Sequence, residues 1–370
     1  MTARLVPALG LLSLLLACGD DTIGLPDAGP EADSGGFVVA EAGVPDAAQR
    51  RDTGVVVDAG PSDPDLVFEE FRKIGDLDIW VKVMGTRTST MPPLVILHTG
   101  PGPSHEYLPS HLRYLYPGRT VVYYDMRATG RTFFAGTDTA TITPTQDIQD
   151  LGWVVDWARR LSGTEKPSAD LLGHGYGALI AALYAADFPA RVGRLGLVTP
   201  FPLHIADHTE MRGEEQARFD TQDRTFFMRL QGPECLQDFR ECFLQFWRRA
   251  AQKTGCYENR QVVSELLWAY GDYRARFFRE RALIDSRFDY RTRVSTIQAR
   301  THIIGSGTGT EAWPFGRRPR CDVIPTTTSS TYQSSIPGST HYRIENSGHY
   351  PMVEQAAALR RELLSIFTYL

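Results

Sequence analysis

The stretch "DLLGHGYGALIAALYA", residues 170–185, constrains the fold more than any other part of the chain. A short apolar run through Leu171 and Leu172 enters Gly173-His174-Gly175-Tyr176-Gly177 and leaves it at once as an alanine-rich helix. A strand that turns this sharply into a helix lifts the residue at the apex above the carboxyl end of a sheet. Here the apex is Gly175, which has no side chain to present. Glycine tolerates the strained backbone of such a turn better than any other residue, so the replacement keeps the turn and opens space above it.

The surrounding pattern predicts the sheet that this turn needs. "LDIWVKVMG" alternates as a strand, and "PPLVILHTG" is a buried-type strand running into a Gly/Pro loop. "RTVVYYDMRATGRT" is a further strand entering a loop, and "GRLGLVTPF" another. In "TQDIQDLGWVVDWARRLSG" the residues Ile148, Leu151, Val154, Val155 and Ala158 share one helical side, with Gly163 near the end. Strands alternating with helices predict an α/β fold, a mostly parallel sheet covered on both faces, with ligands gathering at the strands' carboxyl ends. From about residue 203 to 293 the pattern changes to charged, aromatic amphipathic helices, which predict a helical cap inserted between two strands. The sheet pattern returns with "QARTHIIGSG", followed by a Ser/Thr/Pro-rich loop, "HYRIENSGHYPMVEQ" and a terminal helix.

Ahead of this domain lie two segments of different character. Residues 1–17 carry Arg4 and the apolar run "LVPALGLLSLLLA", read as a secretory signal too short to be an ordinary span. Leu15-Leu16-Ala17-Cys18 resembles the bacterial lipobox, which implies acylation of Cys18 and an extracytoplasmic protein anchored to a bacterial membrane. Residues 18–65 are rich in Gly, Ala, Pro and Asp, with eleven acidic residues against Arg50 and Arg51. Such a stretch reads as a disordered acidic linker. The chain's net charge of −5 therefore belongs to the linker, while residues 66–370 are near neutral and carry no nucleic-acid signature. Outside the cytoplasm Cys235, Cys242, Cys256 and Cys321 are expected to form one or two disulfides, and their spacing is not that of metal ligands.

Four segments carry the chemistry: "HTGPGPSHEYL" (98–108), "YYDMRATGRT" (123–132), "GHGYG" (173–177) and "SGHYPMVEQ" (347–355). In order and spacing they resemble the prolyl aminopeptidase (proline iminopeptidase) family of α/β-hydrolases, over about residues 66–370 with the cap. The resemblance implies an α/β-hydrolase fold, a serine at position 175, His349 as general base and no cofactor. An oxyanion hole needs backbone N–H groups aimed at a developing negative charge, so Thr99 and Gly100 are the candidates on one side and Tyr176 on the other. Asp125, Arg127 and Arg131 are expected to form a charge-assisted network that fixes the loops.

Two members of a Ser-His-Asp triad are missing at their expected places. Gly175 replaces the nucleophile. The acid is expected three residues after Gly305, where Thr308 stands, and Glu311 is the nearest carboxylate that could substitute. One reading is a hydrolytically impaired lipoprotein whose capped pocket binds a small peptide or small molecule, or whose surface binds a partner. The alternative is an active aminopeptidase or amide/ester hydrolase, with His349 as base and a displaced nucleophile such as Ser104, Ser306 or Thr308. A third reading has His349 activating water directly.

Overall fold

The computed structural model describes residues 63–100, 104–132, 137–163, 167–218, 274–307, 322 and 324–369. Cys18, the linker to residue 62, the four later cysteines, Thr308 and Glu311 lie outside the described residues.

Eight strands form one sheet in the order β1-β2-β4-β3-β5-β6-β7-β8 among the described residues. They are β1 (Leu66–Ile74), β2 (Leu77–Gly85), β3 (Leu94–Leu97), β4 (Thr120–Tyr124), β5 (Ala169–His174), β6 (Val192–Val198), β7 (Arg300–Ser306) and β8 (Thr340–Ile344). β2 pairs antiparallel with both β1 and β4, and every later pairing is parallel. The chain runs outward from β3 to β4 and then crosses to β5 on the other side of β3. That reversal puts the switch point, where such sheets hold their ligands, between the carboxyl ends of β3 and β5. Leu97 pairs with Gly173, so the residues leaving β3 and β5 emerge side by side.

α1 (Pro144–Ser162) begins where the Thr143 hydroxyl accepts the Gln146 N–H, with Pro144 in the first turn, and ends at Gly163 with φ 65°. Its Ile148, Leu151, Val154, Val155 and Ala158 are all buried, the side its periodicity predicts. α2 (Tyr176–Asp187) is buried on every side from Tyr176 to Ala186, the signature of a helix inside a core. Each large apolar side chain buried there contributes roughly 1.5–3 kcal/mol relative to leaving it in water.

Between β6 and β7 the described parts of the insertion are helical, with α3 (Ile205–Arg218) following β6 and α4 (Arg274–Ser286) returning to the sheet. Arg279 on α4 is fully buried and grips Asp147 in the first turn of α1 through two bonds of 2.6 Å. It also donates to the Arg127 carbonyl at 2.6 Å. α5 (Arg291–Val294) then leads into β7.

Two elements differ from the sequence expectation. β1 is an edge strand with four of its nine residues exposed, and its run "LVFEEFRKI" lacks a clean apolar alternation. The Ser/Thr/Pro-rich stretch taken as loop contains α6 (Thr326–Ser335), held by burial of Thr328, Ser329 and Tyr332 and by the Tyr332 hydroxyl donating to the Phe201 carbonyl at 2.8 Å. Tertiary contact overrides the weak helix propensity of "TTTSSTYQSS". After β8 come α7 (Pro351–Glu354) and α8 (Ala356–Phe367).

Candidate active site

Gly175 sits at φ 54°, ψ −119°, a conformation that side-chain-bearing residues adopt only under strain. The turn is held by its N–H donating to the Val198 carbonyl at 2.9 Å and by its own carbonyl accepting from Phe201 at 3.0 Å. Gly177 permits the approach of β3: a Cβ there would come within 2.5 Å of the His98 carbonyl oxygen. The loop after β3 is thereby pressed against the turn after β5.

His349 reaches the same point from the loop after β8. That loop is shaped by Glu354, whose carboxylate accepts the N–H groups of Gly348 at 2.7 Å and Tyr350 at 3.3 Å. The His349 carbonyl accepts from His174 Nε2 at 2.7 Å and from the Thr199 hydroxyl at 3.2 Å. Its imidazole stacks edge-on against Tyr350 and lies 4.7 Å, centre to centre, from the His174 ring.

The acid is Asp322. Its Oδ2 lies 3.2 Å from His349 Nδ1, and its side chain is fully buried. A carboxylate thus stands beside His349, where the chain was expected to lack one; Thr308 and Glu311 lie outside the described residues. The connection after β7 is long, so the acid stands seventeen residues beyond Gly305 instead of three. A local signal was present: Asp322 Oδ1 accepts the Ile324 N–H at 3.0 Å, a side-chain turn just ahead of Pro325 and α6.

A carboxylate only accepts, so His349 Nδ1 carries the proton and Nε2 is the free base. Nε2 has a partner in the side chain of Thr99, a residue the sequence marked only for its backbone N–H. The Thr99 hydroxyl lies 2.9 Å away and donates into it. Thr99, His349 and Asp322 thus form a hydroxyl, imidazole and carboxylate in series.

A second buried chain sets Thr99 in place. Its N–H donates to the Tyr107 hydroxyl at 2.7 Å, and that hydroxyl donates to His174 Nδ1 at 2.6 Å. Burial keeps His174 neutral by pushing it well below the ordinary histidine value, with His349 nearby acting in the same sense. The expected role of Thr99 as a backbone oxyanion donor is therefore corrected, because its N–H is already committed. Gly100 and Tyr176 remain as candidates for that role, and Tyr176 opens α2, where backbone N–H groups have no acceptor within the helix. On the other flank His98 Nδ1 donates to the Thr99 carbonyl at 2.6 Å while its Nε2 accepts the Met126 N–H at 3.1 Å. Burial brings His98 down to about 4, against the opposing charge of Asp125.

The other named residues fall into supporting positions. Burial would raise Asp125, but His105 and the Arg131 N–H hold it down to about 2. Arg127 forks onto Asp150 at 2.8 and 2.9 Å. The expected network among Asp125, Arg127 and Arg131 is thus divided: Asp125 is tied to His105 and the Arg131 N–H, Arg127 to Asp150 and Asp76, and the Arg131 guanidinium to Glu106. Ser104 and Ser306 are buried, Ser104 facing the Glu106 N–H at 3.5 Å and Ser306 paired with Ile344 at the end of β7. Among the described residues no cluster of three or more His, Cys, Asp or Glu is arranged to hold a metal ion.

A family profile described as alpha/beta hydrolase fold matches residues 92–233. The proline iminopeptidase of Lactiplantibacillus plantarum is 30% identical over 110 residues, which is 30% of this chain and 36% of that protein. The chain thus aligns with little more than a third of the length of the curated relatives it matches. Among solved structures, the Mycobacterium smegmatis proline iminopeptidase is 18% identical at a TM-score of 0.52, covering 80% of this chain and 97% of that one. An alpha/beta fold family hydrolase from Bacillus anthracis str. Sterne reaches a TM-score of 0.61 at 14% identity, covering 81% and 99%. With its eight-stranded sheet, its glycine elbow and these likenesses, the chain has the α/β-hydrolase fold and is similar to proline iminopeptidases over about a third of its length.

Proposed function

We propose that the protein is a hydrolase of small amides or esters, with His349 as general base and Asp322 as its orienting acid. The observation that carries this reading is the His349 imidazole, bonded through Nδ1 to a buried carboxylate with Nε2 directed at the elbow. An imidazole held in one tautomer by a buried carboxylate is what proton transfer in acyl chemistry needs. The likeness to two proteins named proline iminopeptidase supports prolyl substrates as the class to test first. The test is turnover of prolyl and alanyl anilides and a short-chain nitrophenyl ester by the mature chain beside His349→Ala. Turnover that disappears with His349 supports the reading, and absence of turnover on all three substrates rejects it.

Gly175 favours a second reading, a pseudo-hydrolase whose capped pocket binds a small peptide or small molecule without turning it over. Saturable binding of prolyl peptides by a chain with no turnover is its expected result. In either case we infer from the lipobox that Cys18 anchors the domain to a bacterial membrane on its extracytoplasmic side. The mass of the N-terminal fragment from the membrane fraction tests this, with an unmodified Cys18 as the contrary result.

A further inference from the structure

We propose that Thr99 is the nucleophile of this site, its hydroxyl having taken the seat that a serine at the elbow would fill. The inference rests on the hydrolase reading above and names the group on which that reading turns.

Three observations place it. A Cβ built on Gly175 would overlap the Thr99 hydroxyl oxygen and stand 3.0 Å from His349 Nε2. The Thr99 hydroxyl therefore occupies the space just above the elbow, reached from β3 instead of β5. Second, that hydroxyl donates to His349 Nε2 at 2.9 Å, within the reach a base needs to take the proton of its nucleophile. Third, the main chain on both sides of it is locked, by Tyr107 on the N–H and by His98 on the carbonyl. Tyr107 and His98 are 2% and 0% exposed, so neither bond competes with water. A hydroxyl that merely capped a histidine would not need both of its backbone neighbours held by buried side chains.

The same bonds decide where the oxyanion goes. With the Thr99 N–H spent on Tyr107, the developing negative charge falls to the N–H groups of Tyr176 and Gly100. Tyr176 is itself held by its hydroxyl, which donates to Asp147 at 2.8 Å.

The chemical steps balance without any further reagent but water. The Thr99 oxygen bonds to the substrate carbonyl carbon as its proton passes to His349 Nε2, and Asp322 stabilises the imidazolium. Collapse breaks the bond to the leaving amine or alcohol, which takes the proton from His349, and leaves an acyl ester on Thr99. Water then attacks the ester, gives its proton to Nε2, and the acid product leaves as the proton returns to the Thr99 oxygen.

The experiment uses the mature full-length chain, a nitrophenyl ester and an alkyl fluorophosphonate. We expect a stable phosphonyl adduct on the peptide carrying Thr99, lost in His349→Ala. We expect Thr99→Val to reduce ester turnover at least about a thousandfold, as removal of a triad nucleophile does, with Thr99→Ser restoring most of it. An adduct on another residue overturns the proposal. So does turnover that survives Thr99→Val and disappears in His349→Ala, which would leave the hydrolase reading standing with water attacking directly. A wild-type chain with neither turnover nor adduct overturns both. The adduct is mapped on the unaltered chain, so it decides the matter even if Thr99→Val fails to fold.

Discussion

The hydroxyl of Thr99 and the bare Cα of Gly175 are complementary: the oxygen of the one fills the space that a Cβ on the other would need. The hydroxyl reaches that space from the β3 side of the switch point. The base and its acid, His349 and Asp322, are arranged to serve it.

Putting a serine back at the elbow alone is expected to fail. Gly175→Ser adds a Cβ where the Thr99 hydroxyl stands, at a φ of 54° that costs a non-glycine residue about 1–3 kcal/mol. We expect a lower denaturant midpoint and no gain in turnover. The pair Thr99→Gly with Gly175→Ser clears the overlap and is expected to be the more active of the two. Equal activity in single and double variants would show that the two positions do not share the seat.

Asp322→Asn leaves the fold and removes the carboxylate that holds the proton on Nδ1. Because the tautomer at Nε2 is then no longer secured, we expect kcat to fall on the order of 10⁴-fold with KM little changed. Steady-state kinetics on the nitrophenyl ester measure it. A fall smaller than tenfold would mean that Asp322 does not orient His349.

Arg279→Met separates α4 from α1. It strands Asp147 as a buried carboxylate that still accepts from Tyr176, and breaking a buried pair in this way costs about 3–5 kcal/mol. Urea unfolding monitored by fluorescence is expected to show that loss. The companion Asp147→Asn with Arg279→Met, which removes both charges, is expected to recover part of it.

Acid is expected to weaken the fold through its buried histidines. His98 protonates near 4 in the folded chain, whereas in the unfolded chain it does so near the ordinary value of 6.5. Between those values the unfolded state binds more protons. The stabilisation is therefore complete above about pH 6.5 and is lost as the pH falls towards 4, by roughly 3 kcal/mol for His98 alone. His174, shifted in the same direction, adds to this. Asp125, held down to about 2, acts with the same sign but lower, its stabilisation present above its ordinary 3.8 and lost on further acidification. Denaturant midpoints between pH 7.5 and 4.5 test this, with His98→Gln expected to flatten the slope.

Much of the site was legible along the chain. The elbow declared itself because a strand, three alternating glycines and an alanine-rich helix leave the backbone one economical path. His349 was marked by its own flanks, and the missing serine needed only one position to be read. α1 followed from periodicity, since its apolar side repeats at helical spacing. These are properties of short windows, and local sterics and periodicity determine them.

What only the tertiary structure decided lay between windows far apart in the chain. Thr99 and His349 are 250 residues apart and meet because Leu97 pairs with Gly173 and β8 lies on the same sheet. Asp322 escaped a count along the chain because loop length does not fix where a side chain arrives. Thr99 read as a turn residue with a useful N–H, and only the packed loops showed that N–H taken by Tyr107 and the hydroxyl turned to the base. A hydrogen-bond partner is a fact about distance in space, which composition and periodicity do not encode.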